Sequence, residues 1–192
     1  MTKEKWYRLV YDILRPLGAL FYPQEFYGLE NIPDGPAVFC APHSNFIDPI
    51  LISFALGRRR YVHHLAKAET KSLFIFGWVM KKVGSIFIRR GESDIEAYKS
   101  CMRVLKAGER LIVFPEGTRV HGDAVVKPKS GVIHMAVRTH VPIVPIYIPR
   151  DKKIFRKVPT VVGQPYYPEY KGRDDYDRLA DELMERIWAL KR

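Results

Sequence analysis

The sequence predicts one α/β domain, a layered sandwich with a mixed, mostly parallel sheet flanked by helices, preceded by an N-terminal amphipathic helical segment. Three observations carry this. Short, uniformly apolar runs such as Ala37-Val38-Phe39-Cys40-Ala41 and Leu111-Ile112-Val113-Phe114 are patterned like strands covered on both faces. These runs alternate with stretches of helical periodicity. The connections are short, and 192 residues at 47% hydrophobic composition suffice for one core.

Residues 3–22 place Trp6, Leu9, Val10, Ile13, Leu17, Leu20 and Phe21 at spacings of three and four, with Lys3, Lys5, Arg8 and Arg15 between them. This is an amphipathic helix, interrupted near Pro16. Such a helix either packs on the core or lies in a membrane interface, where aromatic rings beside bases suit the headgroup region. The pattern leaves the two open; on the second, residues 1–27 form a membrane-associating segment ahead of the main domain at residues 28–192. A strand follows at 37–41, then a helix with Asp48 as N-cap, Pro49 at its first position and Gly57 after its end. Residues 61–66 read as a strand, and 72–82 as a short helix apolar on most sides, buried or lipid-facing. A strand at 84–88 leads into Arg89-Arg90-Gly91. Ser93 and Glu96 form a capping box for a helix that Gly108 closes. Then come a strand at 111–114, a helix at 130–138, a strand at 143–148 whose prolines predict an edge or a bulge, a strand at 160–162 and a final helix over 174–190.

The 32 Lys and Arg outnumber the 21 Asp and Glu, for a net charge of +11, so the expected partners are anionic: phospholipid surface, phosphorylated substrate, acidic carrier or nucleic acid. The excess is regional, with nine bases and one acid, Glu69, between residues 58 and 90, whereas acids and bases cancel from residue 171 onward. Nucleic acid is disfavoured, because these bases sit in neither an RNP-like nor a helix-turn-helix context. The two cysteines, Cys40 and Cys101, have no ligand-like spacing, so neither a disulfide scaffold nor a zinc site is expected, and a reducing cytoplasmic compartment is the default. The longest charge-free stretch, residues 35–47, has 13 residues and two prolines, short of the roughly 20 apolar residues of a spanning helix. The N-terminus mixes charges into its apolar residues and shows no cleavage site, which argues against export.

Ligands in open α/β sheets gather beyond the carboxyl ends of the strands, and polar loops follow the strands ending near Ala41, Ile88 and Phe114. The first holds His43-Ser44-Asn45-Phe46-Ile47-Asp48. Five residues of continuous helix rotate a side chain by about 140°, so a His43–Asp48 contact requires a turn, which Pro42 and the helix start supply. Asp48 would then fix the imidazole tautomer and leave the other nitrogen as general base; an N-cap aspartate and a satisfied loop histidine are the plain alternatives. In Phe114-Pro115-Glu116-Gly117-Thr118-Arg119, the arginine offers a fork that matches phosphate oxygens and the glycine lets backbone amides approach an anion.

Together, His43 with Asp48, residues 84–90, residues 114–119 and Val141-Pro142-Ile143-Val144-Pro145 stand in the order and spacing of the four blocks of the glycerolipid acyltransferases. The chain resembles the bacterial 1-acylglycerol-3-phosphate (lysophosphatidic acid) acyltransferases of the PlsC type over residues 28–163, including Ala66-Lys67-Ala68-Glu69, Phe76-Gly77-Trp78 and Lys129-Ser130-Gly131. Asn45 stands where that family often has serine. The resemblance implies that His43, oriented by Asp48, deprotonates the free hydroxyl of a lysophospholipid, which attacks an acyl thioester directly. It implies that Arg89, Glu116, Gly117, Thr118 and Arg119 hold the glycerol phosphate, with Lys67 and Lys129 adding positive charge. Its expected partners are lysophosphatidic acid, an acyl carrier protein or coenzyme A thioester, and an anionic membrane surface at the cytoplasmic face. No metal or bound cofactor is expected. The basic residues at 58–60, 71, 81–82 and 150–157 are expected to face membrane or carrier, or simply solvent. An acyltransferase with glycerol 3-phosphate or another lysolipid as acceptor, and a non-catalytic basic membrane module, are the competing readings. A hydrolase is disfavoured: there is no GxSxG nucleophile, and Cys40 lies inside a strand.

Overall fold

The computed structural model describes residues 1–89, 94–172 and 175–192. In chain order the elements are α1 (Lys3–Phe21), β1 (Gln24–Tyr27), β2 (Ala37–Cys40), α2 (Asp48–Leu56), β3 (His63–Lys67), α3 (Phe74–Lys82), β4 (Ile86–Ile88), α4 (Ile95–Lys106), β5 (Arg110–Val113), α5 (Gly131–Thr139), β6 (Ile143–Tyr147), β7 (Val158–Val162) and α6 (Asp175–Ala189). The sheet runs β1-β7-β6-β2-β5-β3-β4. Every pairing is parallel except β6 with β7, which is the mixed, mostly parallel sandwich that the apolar runs predict.

Alternate residues of the central strands feed two cores, as a period of two requires. Val38, Cys40, Leu111 and Ile143 face Cys101, Leu105, Ile133 and Leu183 of α4, α5 and α6. Phe39, Ile112, Val144 and Ile146 face Tyr7 of α1 and Leu51, Ile52 and Leu56 of α2. Helices on both faces leave β2, β5 and β6 dry, and their side chains are apolar on both sides for that reason.

Helix α1 begins at Thr2, whose hydroxyl accepts from Lys5 N, and continues unbroken through Pro16. Its contact face approaches α2 so closely that a Cβ at Gly18 would fall 2.2 Å from the Phe54 ring. Tyr11 and Phe54 meet edge to face, and Arg15 lies over the same ring. Leu9, Ile13, Leu17, Leu20 and Phe21 remain exposed along another stripe, so the helix packs on the core with one face and presents an aliphatic stripe with another. Helix α3 resolves the other open alternative: Gly77 is its buried residue, while Phe74 is 93% exposed and Ile75, Phe76 and Trp78 are also at the surface. Trp78 meets Trp6 edge to face, with the Lys82 ammonium over both rings. Among the described residues no helix is long and apolar enough to cross a membrane.

Three further expectations change. The prolines of β6 predict an edge or a bulge; the strand instead lies inside the sheet between β7 and β2, fully buried. Pro145 sits opposite Gly163, one residue past the end of β7, so its missing N–H falls where the ladder stops, and its carbonyl accepts from Gly163 N at 2.8 Å. Asp48 is the first residue of α2 and not its N-cap, which is Ile47. Ser93 and Arg90 lie outside the described residues, and α4 is capped by Asp94, whose carboxylate accepts from Ala97 N. Strand β1, parallel to β7, has no counterpart in the sequence reading.

Candidate active site

Three loops meet at the carboxyl ends of β6, β2 and β5, adjacent strands at the centre of the sheet. In the first, residues 41–47 turn tightly between β2 and α2 and bring Asp48 back beneath His43. Asp48 Oδ2 accepts from His43 Nδ1 at 3.0 Å and from the amides of Ser44 and Asn45, each at 2.7 Å. A carboxylate partner makes Nδ1 the protonated nitrogen and leaves the lone pair on Nε2. Among the described residues Nε2 has no hydrogen-bond partner, and it is not among the fully buried polar atoms. The imidazole stacks on Phe114 at 4.1 Å between centroids, which fixes the ring plane.

Asp48 is fully buried. Burial alone would raise its carboxyl, but the hydrogen bond from His43 and the charge of Lys152 outweigh it and hold Asp48 below its ordinary value. Lys152 Nζ lies 2.8 Å from Asp48 Oδ1, with its side chain 1% exposed. This contact is an ion pair without hydrogen-bond alignment; the aligned bonds of the ammonium go to Ser44 Oγ at 2.9 Å and to the carbonyls of Pro149 at 2.6 Å and Arg150 at 3.3 Å.

The second loop, after β5, contributes Glu116. It is 1% exposed and turned inward, accepting from His43 N at 2.7 Å and pairing with Arg150. Geometry therefore gives it the backbone of His43 to hold, and no face toward solvent. Val120 N closes the other side on His43 O at 2.7 Å. Gly117, Thr118 and Arg119 are exposed at the outer turn. Gly117 has φ +67°, a conformation that favours glycine. Lys129 N donates to Pro115 O, and Lys129 Cγ lies 3.3 Å from where a Cβ of residue 117 would stand, so this lysine joins the turn.

The third loop, residues 148–157 between β6 and β7, closes the site from the far side. Arg150 donates to the Gly122 and Ala124 carbonyls at 3.0 and 2.7 Å, and its guanidinium lies over the Trp188 ring. Sequence reasoning expects Arg150 and Lys152 to face a partner or solvent; both are instead turned into the site, where they neutralise two buried carboxylates. Nothing in a run of five bases over eight residues distinguishes an inward lysine from its neighbours.

Arg89 and Lys67 stand apart, at the ends of the neighbouring strands β4 and β3. Lys67 pairs with Glu69, and Arg89 N donates to Asp94; no contact among the described residues joins either to His43. A groove of about 680 Å³ along β4 and α4 takes in Arg89, Lys81, Arg103 and the pair of buried His63 with half-exposed Glu109, but none of the other expected site residues. No cluster of potential metal ligands occurs among the described residues. Cys40 and Cys101 are buried free thiols, pushed up by burial, Cys101 to about 12.

Comparison with known proteins bears on this arrangement. A 1-acyl-sn-glycerol-3-phosphate acyltransferase of Bacillus subtilis is 28% identical over 196 residues, covering 96% of both chains. The chloroplastic 1-acyl-sn-glycerol-3-phosphate acyltransferase BAT2 of Brassica napus is 33% identical over 138 residues, which is 70% of this chain but 39% of that one, so the chain spans about two fifths of the length of its plant relative. The crystal structure of the 1-acyl-sn-glycerophosphate acyltransferase PlsC from Thermotoga maritima superimposes with a TM-score of 0.71 at 25% identity, over 98% of this chain and 77% of that one. The acyltransferase family model matches residues 24–149, well over half of the chain and the whole of its histidine–aspartate loop, and the chain belongs to that family.

Proposed function

We propose that this protein transfers a fatty acyl group from an acyl thioester, carried on acyl carrier protein or coenzyme A, to the sn-2 hydroxyl of 1-acylglycerol 3-phosphate, giving phosphatidic acid. The observation that carries the reading is the His43–Asp48 pair with Nε2 left open. Nε2 takes the hydroxyl proton as the oxygen attacks the thioester carbonyl. The tetrahedral adduct collapses with cleavage of the carbon–sulfur bond, and the departing thiolate receives the proton back from the imidazolium. No acyl-enzyme forms, and no metal or bound cofactor is called on. Asp48 holds the tautomer and offsets the charge on the imidazolium. Arg119, Thr118 and Lys129 offer the acceptor phosphate one guanidinium, one hydroxyl and one ammonium. Arg89 and Lys67 reach it only as outlying charges, and Glu116 serves by holding the His43 loop.

The exposed stripes of α1 and α3 support a peripheral position on a membrane surface; the cytoplasmic face belongs to the proposal, with residues 1–27 as the associating segment and residues 28–192 as the acyltransferase domain. A lysolipid would then be taken up from the surface.

Purified protein given lysophosphatidic acid and each thioester in mixed micelles is expected to form phosphatidic acid, and His43→Ala to lose about 10²–10⁴-fold in kcat. Folded wild-type protein that yields no product with either donor would overturn the reading. Product with glycerol 3-phosphate or another lysolipid alone would move it to a different acceptor.

A further inference from the structure

We infer that Ile154 and Phe155, at the tip of the β6–β7 loop, form a third bilayer anchor that seats the mouth of the site on an anionic phospholipid surface. This rests on the peripheral-membrane reading above and extends it to a segment outside α1 and α3.

Phe155 has φ +62°, a left-handed conformation that is strained for a bulky residue. The turn is held in it by Phe155 N donating to the Phe21 carbonyl at 2.7 Å and Arg156 N to the Lys153 carbonyl at 3.2 Å. Yet the outcome of this strain, for folding, is a phenyl ring 64% exposed and an isoleucine 54% exposed beside it. Strain that places apolar groups in water contributes nothing to the core; it is repaid where those groups meet an apolar medium.

Position and charge identify the medium. The Phe155 ring lies 5.6 Å from Phe21, so the tip prolongs the exposed stripe of α1 through Leu17 and Leu20. On the other side of the site Phe46, three residues from His43, is 68% exposed. Lys153 and Arg156 flank the tip, exposed and without an ion pair among the described residues, and the one acid of residues 150–157 is Asp151. An apolar tip in a basic collar suits a surface with anionic headgroups over an acyl interior. The base of the same loop carries Lys152 on Asp48 and Arg150 on Glu116, so the anchor begins two residues from the brace of the dyad.

The test uses the full chain. Because Cys40 and Cys101 are buried, Phe155→Cys can be labelled selectively with a polarity-sensitive fluorophore and mixed with vesicles of phosphatidylglycerol and phosphatidylethanolamine. The expected result is a blue shift quenched by nitroxide-labelled lipid. The Ile154→Ser/Phe155→Ser variant should bind these vesicles about ten-fold or more weakly, as expected when two buried apolar side chains are lost. It should lose a similar factor in turnover of vesicle-borne lysophosphatidic acid, yet match wild type on a short-chain acceptor dissolved as monomer. A label that stays in water on vesicle-bound protein, or unchanged vesicle affinity, overturns the inference. So does a response to acyl carrier protein in place of vesicles, or an equal loss on the monomeric acceptor, which would make the tip part of the site itself. The fluorescence and binding arms need no turnover, so failure of the anchor and failure of the acyltransferase reading are separately visible.

Discussion

Lys152 shows how much of the site depends on a residue remote in sequence from the dyad. Asp48 is buried with two oxygens to satisfy; His43 and two amides take one, and Lys152 faces the other. Lys152→Met would leave that oxygen facing an apolar group, and loss of one member of a buried pair costs about 3–5 kcal/mol. The expected outcome is a lowered urea midpoint in protein that still folds, and a fall in kcat of about 10–100-fold with little change in acceptor KM, since the lysine touches no substrate. Removing the charge that helps hold Asp48 below its ordinary value lets that carboxyl rise, so the acid limb of the pH–rate profile should move to higher pH. A lysine that only filled space would lower the midpoint and leave the profile in place. Loss of binding at the Arg119 turn would appear in KM instead.

At the level of elements, most of the helices and strands are legible in the pattern of apolar residues, because each buries a run long enough to show its period. Strand β1 escapes because its four residues, Gln24-Glu25-Phe26-Tyr27, are all half-buried at the end of the sheet and carry no alternation. Strand β6 is legible as a strand but not in its place, since a proline is excluded from a sheet interior only where its N–H would be needed. The His43–Asp48 contact was readable from a turn signal in a short loop; the contribution of the β6–β7 loop was not, because inward and outward lysines have the same letter. One contact between elements carries a pH dependence. His64 on β3 bonds Ser53 of α2 at 2.8 Å, Ser53 donates to the Pro49 carbonyl, and burial lowers the imidazole from 6.5 to about 4. Between those values the unfolded chain binds a proton that the folded chain refuses. The contribution is therefore complete above pH 6.5 and is lost as pH falls towards 4, by a few kcal/mol at most. The urea midpoint should drop across that window, and His64→Gln should flatten the drop.

For the whole molecule, the count of nine bases between residues 58 and 90 overstates the free charge of the basic region. Arg58 is tied to Asp12, Arg60 to Asp34 and Lys67 to Glu69. Binding to anionic vesicles should accordingly weaken with salt by less than nine charges would demand, at about 1 kcal/mol per base near the surface, and reach a salt-independent floor set by the apolar stripes. Sedimentation with vesicles from low to high sodium chloride measures both the slope and the floor. Binding that vanishes at high salt would show that α1 and α3 do not enter the bilayer.

The antiparallel pairing of β6 and β7 has a temporal consequence. It keeps the whole of residues 148–157 at one end of the sheet, where Ser44 Oγ donates to the Arg150 carbonyl and Lys152 returns to Ser44, contacts spanning 106 and 108 residues of chain. The histidine and aspartate are synthesised well before this loop, but their surroundings are complete only once β6 has entered the centre of the sheet and the chain has turned back into β7. Until then Asp48 is a carboxylate in an unfinished core without its counter-charge. The constellation is thus begun early and finished late, and a chain interrupted at residue 149 would carry the motif without the means to hold it.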